Sequence, residues 1–132
     1  MPELICSDLA RSRAFYLDVL GFSVRYERPA ERFAYLEREG AELMLEQPLA
    51  RGRLYPRAEL VHPYGRGINL EIDVDDVDAL HDAVIAAGAD VLIAIEERWY
   101  ERSGDAVGVR QFALHDPDGY VLRFSQRIGV RD

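Results

Sequence analysis

Lysine is absent from this chain of 132 residues: its 16 basic residues are all arginines, set against 24 acidic residues, for a formal net charge of −8. Proteins that bind nucleic acid neutralise its phosphates with clustered basic side chains. The acidic balance therefore argues against a nucleic-acid partner. It also favours a cationic ligand over an anionic one.

Cysteine and long apolar segments are scarce as well. Cys6 is the single cysteine, so no disulfide can form within the chain, which fits a reducing cytoplasm. No apolar run approaches the ~18 residues that a membrane-spanning helix needs. Residues 1–20 lack the apolar region of a signal peptide. These absences predict a cytoplasmic protein without a membrane segment, and the length predicts about one domain.

Two stretches of the chain carry the same order of signals. In the first, Asp8 caps a helical apolar pattern that Gly21 ends, after which a strand begins. In the second, an alternating strand at 68–74 leads to a cap at Asp75 or Asp76 and to a helix that Gly88 ends. The apolar residues that predict the first helix's buried stripe are Leu9, Ala14, Phe15, Leu17 and Leu20.

Each of these units is followed by further strand patterns. They are predicted at 32–37, 41–47, 109–115 and 120–126, and the last two are joined by a D-P-D-G turn. The chain is therefore predicted to be one α+β domain, 1–132, built from two βαβββ modules at about 1–48 and 67–128. A linker rich in proline and glycine occupies about 49–66.

Strand alternation predicts that each sheet packs an apolar face on its helix and turns a more polar face away. Leu43, Leu45, Leu122 and Phe124 fall on the helix side, together with the alternating apolar residues of 68–74. The opposite faces would carry Glu42, Met44, Glu46, Asn69, Glu71, Asp73, Val121, Arg123 and Ser125. Two such faces would form a concave, partly polar cleft, which is where a ligand site is expected.

Four stretches carry a family resemblance: DLARSRAFYLDVLGF, GAELMLEQ, DVDDVDALHDAVIAAGADV and RQFALHDPDGYVLRF. The chain resembles the vicinal oxygen chelate superfamily over nearly its whole length, and within it the glyoxalase/bleomycin-resistance-protein branch. The resemblance implies two βαβββ modules around a cleft. It also implies a homodimer with ligand clefts near the subunit interface.

Metal-dependent members of this superfamily place His, Gln or Glu on the first, fifth and eighth strands. The matching positions here are Met1, Asn69 and Arg123. A guanidinium has no lone pair for a metal ion and adds a positive charge beside it. His62, His81 and His115 form no metal-binding pair, and His81 is expected on the solvent side of its helix. We therefore predict no metal and no other cofactor.

The remaining candidates are aromatic and acidic. Metal-free binders in this family line the cleft with aromatic side chains, and Phe33, Tyr35, Trp99 and Tyr100 are the candidates here, the last two on a loop between strands. Glu46, Glu71 and Asp73 would neutralise a cationic ligand, with Asn69 and Arg123 beside them. Alternatively, these carboxylates pair with arginines or with solvent. Bleomycin-binding relatives carry tryptophans where Glu71 and Asp73 stand.

Two functional hypotheses follow. The first is a metal-free, dimeric protein of the bleomycin-resistance type that sequesters a cationic or aromatic small molecule, such as an antibiotic. The second is an enzyme, either a metal-dependent lyase or dioxygenase or a metal-free isomerase that uses Glu46 or Glu71 as a base. No Ser–His–Asp order, P-loop or dinucleotide motif is present, and Cys6 is predicted to be buried, so no catalytic residue is assigned.

Overall fold

A computed structural model describes residues 1–49 and 54–132, so the part of the predicted linker at 50–53 lies outside the described residues. The chain divides into two compact units. Unit 1 comprises Met1–Arg66 together with Asp116–Tyr120, and unit 2 comprises Gly67–His115 and Val121–Asp132. Each unit holds an open, four-stranded mixed sheet, which confirms the predicted α+β fold of two βαβββ modules.

Unit 1 contains the first four strands. They are β1 (Glu3–Ile5), β2 (Ser23–Arg28), β3 (Phe33–Arg38) and β4 (Ala41–Glu46), in the sheet order β1-β4-β3-β2. β1 runs parallel to β4, and the other pairs are antiparallel. The helix α1 (Leu9–Ala14) continues into a π-helical turn at Phe15–Val19. Short 3₁₀ turns lie at Pro29–Glu31 and Arg57–Glu59.

Unit 2 repeats this arrangement with longer strands. β5 (Asn69–Asp73) leads to the helix α2 (Val77–Ala86), followed by β6 (Val91–Glu101), β7 (Ala106–His115) and β8 (Val121–Arg131). The sheet order is β5-β8-β7-β6, with β5 parallel to β8. The predicted strand 68–74 is one residue too long at each end: Ile68 precedes β5 and is exposed, and Val74 follows β5 and is buried.

Both helices begin at the aspartates that the sequence indicated. The Asp8 side chain accepts a hydrogen bond from the Arg11 N–H at 3.2 Å, and Asp76 accepts one from Ala79 at 3.0 Å. Asp76, and not Asp75, is therefore the second cap. Gly21 and Gly88 follow the two helices with φ values of +76° and +69°, a backbone conformation that glycine adopts without strain.

The buried face of the first helix differs from the predicted stripe. Its fully buried residues are Ser12, Tyr16 and Leu20. The π-helical turn, in which the Leu20 N–H bonds to the Phe15 carbonyl, changes the helical phase that a regular 3.6-residue period assumes. Tyr16 can be buried because its hydroxyl donates to Asp116 Oδ2 at 2.8 Å. The second helix is regular and buries Val77, Leu80 and Val84.

The D-P-D-G corner supplies two buried carboxylates of unit 1, those of Asp116 and Asp118. Asp116 also accepts hydrogen bonds from the N–H groups of Asp118 and Tyr120, at 2.9 and 3.0 Å. Burial raises the pKa of its carboxyl, although these hydrogen bonds act in the opposite direction. Asp118 in turn accepts the Ser7 N–H at 3.0 Å. The corner is thus held to the start of the chain by short, specific hydrogen bonds.

Cys6 is 2% exposed, which confirms that it is buried. Burial, and then the carboxylates of Asp118, Asp116 and Asp8, raise the pKa of its thiol to about 12. A thiol with such a pKa is a small apolar side chain at neutral pH and no nucleophile.

No helix among the described residues is long and apolar enough to span a membrane.

Candidate functional site

The sheet of unit 2 turns one face away from α2, and the strand register decides which side chains share it. Glu71 on β5 lies opposite Arg123 on β8, which lies opposite Ala113 on β7. Two residues further along, Asp73 on β5 lies beside Ser125 on β8, Ser125 lies beside Gln111 on β7, and Gln111 lies beside Glu96 on β6. The sheet therefore collects side chains from all four of its strands on this polar face.

Arg123 is the centre of this face. Its Nη2 donates to Glu71 Oε2 at 3.1 Å, its Nη1 donates to Gln111 Oε1 at 2.9 Å, and its Nε donates to Asn69 Oδ1 at 3.4 Å. The side chain is 25% exposed, whereas that of Glu71 is 47% exposed. Three partners from the two strands that flank β8 thus fix the orientation of a guanidinium that solvent still reaches.

Gln111 holds the network together and was missed by the sequence-based assignment. It is 2% exposed. Its amide oxygen faces Arg123, and its Nε2 donates to the Tyr100 hydroxyl at 2.8 Å and to Glu96 Oε1 at 3.2 Å. The available signal was strand alternation. Gln111 precedes Phe112, which packs on the helix side of β7, so Gln111 had to lie on the opposite face, which is also the face of Arg123.

The adjacent aromatic residues Trp99 and Tyr100 lie on opposite faces of β6. The prediction of a loop there was wrong, because both residues belong to the strand Val91–Glu101. Tyr100 is on the polar face through its bond to Gln111. Trp99 lies over Gly108: a Cβ added at position 108 would stand 2.6 Å from the Trp99 ring. The Arg131 guanidinium is 3.5 Å from the centroid of the same ring. A ligand-binding role for Trp99 stays a prediction and forms no part of the function proposed below.

Unit 1 presents an aromatic surface on the face away from α1. Tyr35 packs against Tyr26 with ring centroids 5.0 Å apart, and Tyr26 lies 6.1 Å from Phe33. The Arg28 guanidinium lies 4.0 Å from the centroid of the Phe33 ring, which leaves Phe33 only 5% exposed. Glu46 is the register partner of Phe33 on β4 and is partly buried. Phe33 and Tyr35 therefore lie on the same face of β3, each packed against Tyr26.

The Tyr35 hydroxyl extends this surface into a charged pair. It donates to Glu42 Oε2 at 2.6 Å, and Arg25 reaches the other oxygen of Glu42 at 3.3 Å. The hydrogen bond to Glu42 raises the pKa of Tyr35. Unit 1 thus offers aromatic rings bordered by arginines, whereas unit 2 offers a hydrogen-bonded polar network.

The residues at the superfamily's metal positions in unit 2 do not fit a metal ion. Asn69 and Arg123 are hydrogen-bonded to each other, and the guanidinium would place a fixed positive charge beside any cation. Within residues 1–49 and 54–132, no group of three or more His, Cys, Asp or Glu side chains could hold a metal ion. The chemistry of Asn69 and Arg123 is therefore that of hydrogen bonding rather than of metal coordination.

Two histidines of unit 2 have packing or ion-pair partners. His81 was predicted on the solvent side of α2, but its ring contacts Phe112 edge-on at 5.1 Å and is partly buried, so that placement was wrong. His115 Nδ1 lies 2.8 Å from Asp90 Oδ2. Neither histidine belongs to the Arg123 network.

Comparison with known proteins identifies the family. The family model described as "Glyoxalase/Bleomycin resistance protein/Dioxygenase superfamily" matches residues 2–124 of this chain. The chain belongs to this superfamily. A superfamily member from Vibrio splendidus 12B01 is 38% identical over 96% of this chain and 95% of that chain, with a TM-score of 0.44.

Other solved structures share the fold of this chain. TioX from Micromonospora sp. ML1 is 25% identical, covers 97% of this chain and 98% of its own, and has a TM-score of 0.71. A protein of unknown function from Agrobacterium tumefaciens str. C58 is 22% identical, with coverages of 96% and 91% and a TM-score of 0.72. The search of curated proteins returned no match.

Proposed function

We propose that the chain is a metal-free, small-molecule-binding protein of the bleomycin-resistance type, which sequesters a compound with a cationic or aromatic part, such as an antibiotic, in the cytoplasm. The observation that carries the proposal is Arg123. It stands where metal-dependent relatives place a metal ligand, and Asn69, Glu71 and Gln111 hold it in place. Binding would therefore rest on hydrogen bonds, charge and stacking.

The polar face of unit 2 supplies the groups for a cationic ligand. Glu71, Asp73 and Glu96 are its carboxylates, and Tyr100 adds an aromatic ring that is 39% exposed. The aromatic surface of unit 1 supplies Tyr26 and Tyr35 for stacking with a ring. The two faces thus differ in chemistry, with carboxylates on that of unit 2 and aromatic rings on that of unit 1.

The test combines elemental analysis with ligand-dependent melting. The purified protein should hold no stoichiometric Zn, Fe, Mn, Ni or Mg, whereas about one tightly bound metal per chain would contradict the proposal. Cationic aromatic compounds should raise the melting temperature, because a ligand at a hundred times its Kd stabilises the folded state by about 2.7 kcal/mol. The enzyme alternative requires turnover, and in that case Glu71→Gln would abolish turnover while leaving binding nearly intact.

Self-association belongs to the proposal as well. The family resemblance implies a homodimer. We therefore expect two copies of this chain to associate and to bury more than ~1,000 Å² in total between them. Light scattering at micromolar concentration measures the mass directly. A monomer would contradict this part of the proposal while leaving the assignment of Arg123 intact.

A further inference from the structure

The hydrogen bonds of Arg123 leave part of its guanidinium available. A guanidinium has five N–H groups. The contacts with described residues use one N–H each on Nε, Nη1 and Nη2, donated to Asn69, Gln111 and Glu71. One N–H on Nη1 and one on Nη2 therefore have no acceptor within the part of the chain that the structure describes, and the side chain is 25% exposed.

The orientation of the guanidinium is set before any ligand arrives. Gln111 is 2% exposed, and its own amide N–H groups are engaged by Tyr100 and Glu96, so its oxygen is held toward Arg123. A donor that is fixed in advance loses little conformational entropy when it binds. Planar guanidinium groups match the two oxygens of a carboxylate better than any other side chain does.

We infer that Arg123 is a carboxylate-binding subsite, so that the ligand of the proposed function carries a carboxylate in addition to its cationic or aromatic part. The inference rests on the proposed function, since it names a chemical group of the same ligand. The net charge of −8 disfavours a lone anion at long range. Recognition of the carboxylate must therefore come from the local contacts with Arg123.

Glu71 has a second role in this subsite. Its carboxylate lies 3.1 Å from Arg123 Nη2, and its side chain is 47% exposed. It is therefore already paired with the guanidinium that a ligand carboxylate would approach. It repels that carboxylate and competes for the same donor. Replacing Glu71 by glutamine should therefore strengthen the binding of a carboxylate, whereas the same change should weaken the binding of a cation.

The experiment compares three benzene derivatives of similar size by calorimetric titration: benzoate, benzamide and benzylamine, which are anionic, neutral and cationic at neutral pH. Benzoate should bind at least about tenfold more tightly than benzamide, because a hydrogen bond to an ionised group is worth roughly 1.5–3 kcal/mol. Arg123→Met should weaken benzoate by about tenfold or more. Arg123→Lys, which keeps the charge without the planar fork, should recover part of that loss.

Arg110→Met is the matched control. Arg110 lies on the same sheet but pairs with Asp78 at 2.9 Å and belongs to the opposite face, so its loss should leave benzoate binding unchanged. Circular dichroism of each variant shows that it is folded before titration.

The results separate the two proposals. Equal binding of benzoate to the wild type and to Arg123→Met, or weaker benzoate binding by Glu71→Gln, would overturn the carboxylate subsite. Binding of benzylamine without any saturable binding of benzoate would also overturn it while supporting the proposed function. Bound metal or turnover would overturn the proposed function, whatever benzoate does.

Discussion

The two units share one strand order and one helix position, yet their sheets carry different chemistry on the face away from the helix. In unit 1 that face has the neighbouring rings of Tyr26, Phe33 and Tyr35. In unit 2 it has Arg123 bound to a buried glutamine. The helix side must stay apolar to form a core, whereas the other face carries no such requirement. A repeated fold therefore leaves one face per unit on which binding chemistry can differ.

Their buried polar groups differ in a parallel way. Unit 1 buries the carboxylates of Asp116 and Asp118 in the corner beside α1, and unit 2 buries the amide of Gln111 on its polar face. The first arrangement supports the fold, because its partners are a core tyrosine and backbone N–H groups. The second supports a surface residue, Arg123. Substitutions at the two places should therefore have separable effects.

Asp116→Ala should have the largest effect on stability. It leaves the Tyr16 hydroxyl and the N–H groups of Asp118 and Tyr120 without their acceptor, and each such loss costs about 1–3 kcal/mol when the group is buried. We expect the free energy of unfolding, measured in urea, to fall by about 3 kcal/mol or more. Asp18→Ala, at an exposed site of the same unit, should stay within about 0.5 kcal/mol. Similar losses for both variants would show that the corner does not stabilise unit 1.

Arg123→Met should destabilise the protein less, and through unit 2. It leaves the oxygen of the buried Gln111 unpaired, which costs about 1–3 kcal/mol. Arg110→Met removes a solvent-exposed ion pair and should cost no more than about 1 kcal/mol. Urea unfolding of the two variants, carried out side by side, measures the difference. If Arg110→Met proved the more damaging change, the contrast between the two faces of this sheet would be wrong.

The sequence predicted the elements more reliably than their connections. Alternation placed Leu43, Leu45, Leu122 and Phe124 in the core correctly, because each lies on a strand with one apolar face. The π-helical turn at Phe15–Val19 has no sequence signal of its own, so the burial of Tyr16 was missed. Its hydroxyl is satisfied by a residue that lies far along the chain. Long-range hydrogen bonds of this kind cannot be read from local periodicity.

The candidate site was predicted in part for the same reason. Strand alternation brought Asn69, Glu71 and Arg123 onto one face correctly, and the alternative that the carboxylates pair with arginines is confirmed for Glu71 and Arg123. The part of Gln111 in this network was not predicted. No strand was predicted over 96–101, because polar residues interrupt the apolar pattern there, and Trp99 and Tyr100 were therefore placed together on a loop. In a strand, neighbouring residues must point to opposite faces. The correct assignment of one element thus decides which of two aromatic residues can belong to the site.

Gly108→Ala tests the face of β6 that carries Trp99. A Cβ at position 108 would stand 2.6 Å from the Trp99 ring, so the indole must move, whereas at Gly129 it would stand at 3.7 Å, an ordinary contact. Overpacking costs about 1–3 kcal/mol, and replacing glycine in a strand returns roughly 0.5–1 kcal/mol. We expect a net loss of about 1 kcal/mol for Gly108→Ala, with altered fluorescence of the single tryptophan. Gly129→Ala should instead gain roughly 0.5–1 kcal/mol and leave the fluorescence unchanged. Equal effects of the two variants would show that Trp99 does not lie on Gly108.

The smallest expected effect is a difference in pH dependence between the two units. Burial raises the pKa of Asp116 in the folded state, so its contribution to stability is fully present below its unfolded pKa and is lost as pH rises through the folded value. Asp105 in unit 2 behaves oppositely, because the hydrogen bond from Arg102 lowers its folded pKa. Its contribution is present above the unfolded pKa and is lost as pH falls through the folded value.

Urea unfolding of the wild type, Asp116→Asn and Asp105→Asn across the acidic range measures how the free energy of unfolding changes with pH in each protein. The advantage of the wild type over Asp116→Asn should shrink as pH rises, while its advantage over Asp105→Asn should grow. Slopes of the same sign would mean that hydrogen bonds outweigh burial at Asp116, and that the corner carboxylate of unit 1 behaves like a surface carboxylate of unit 2.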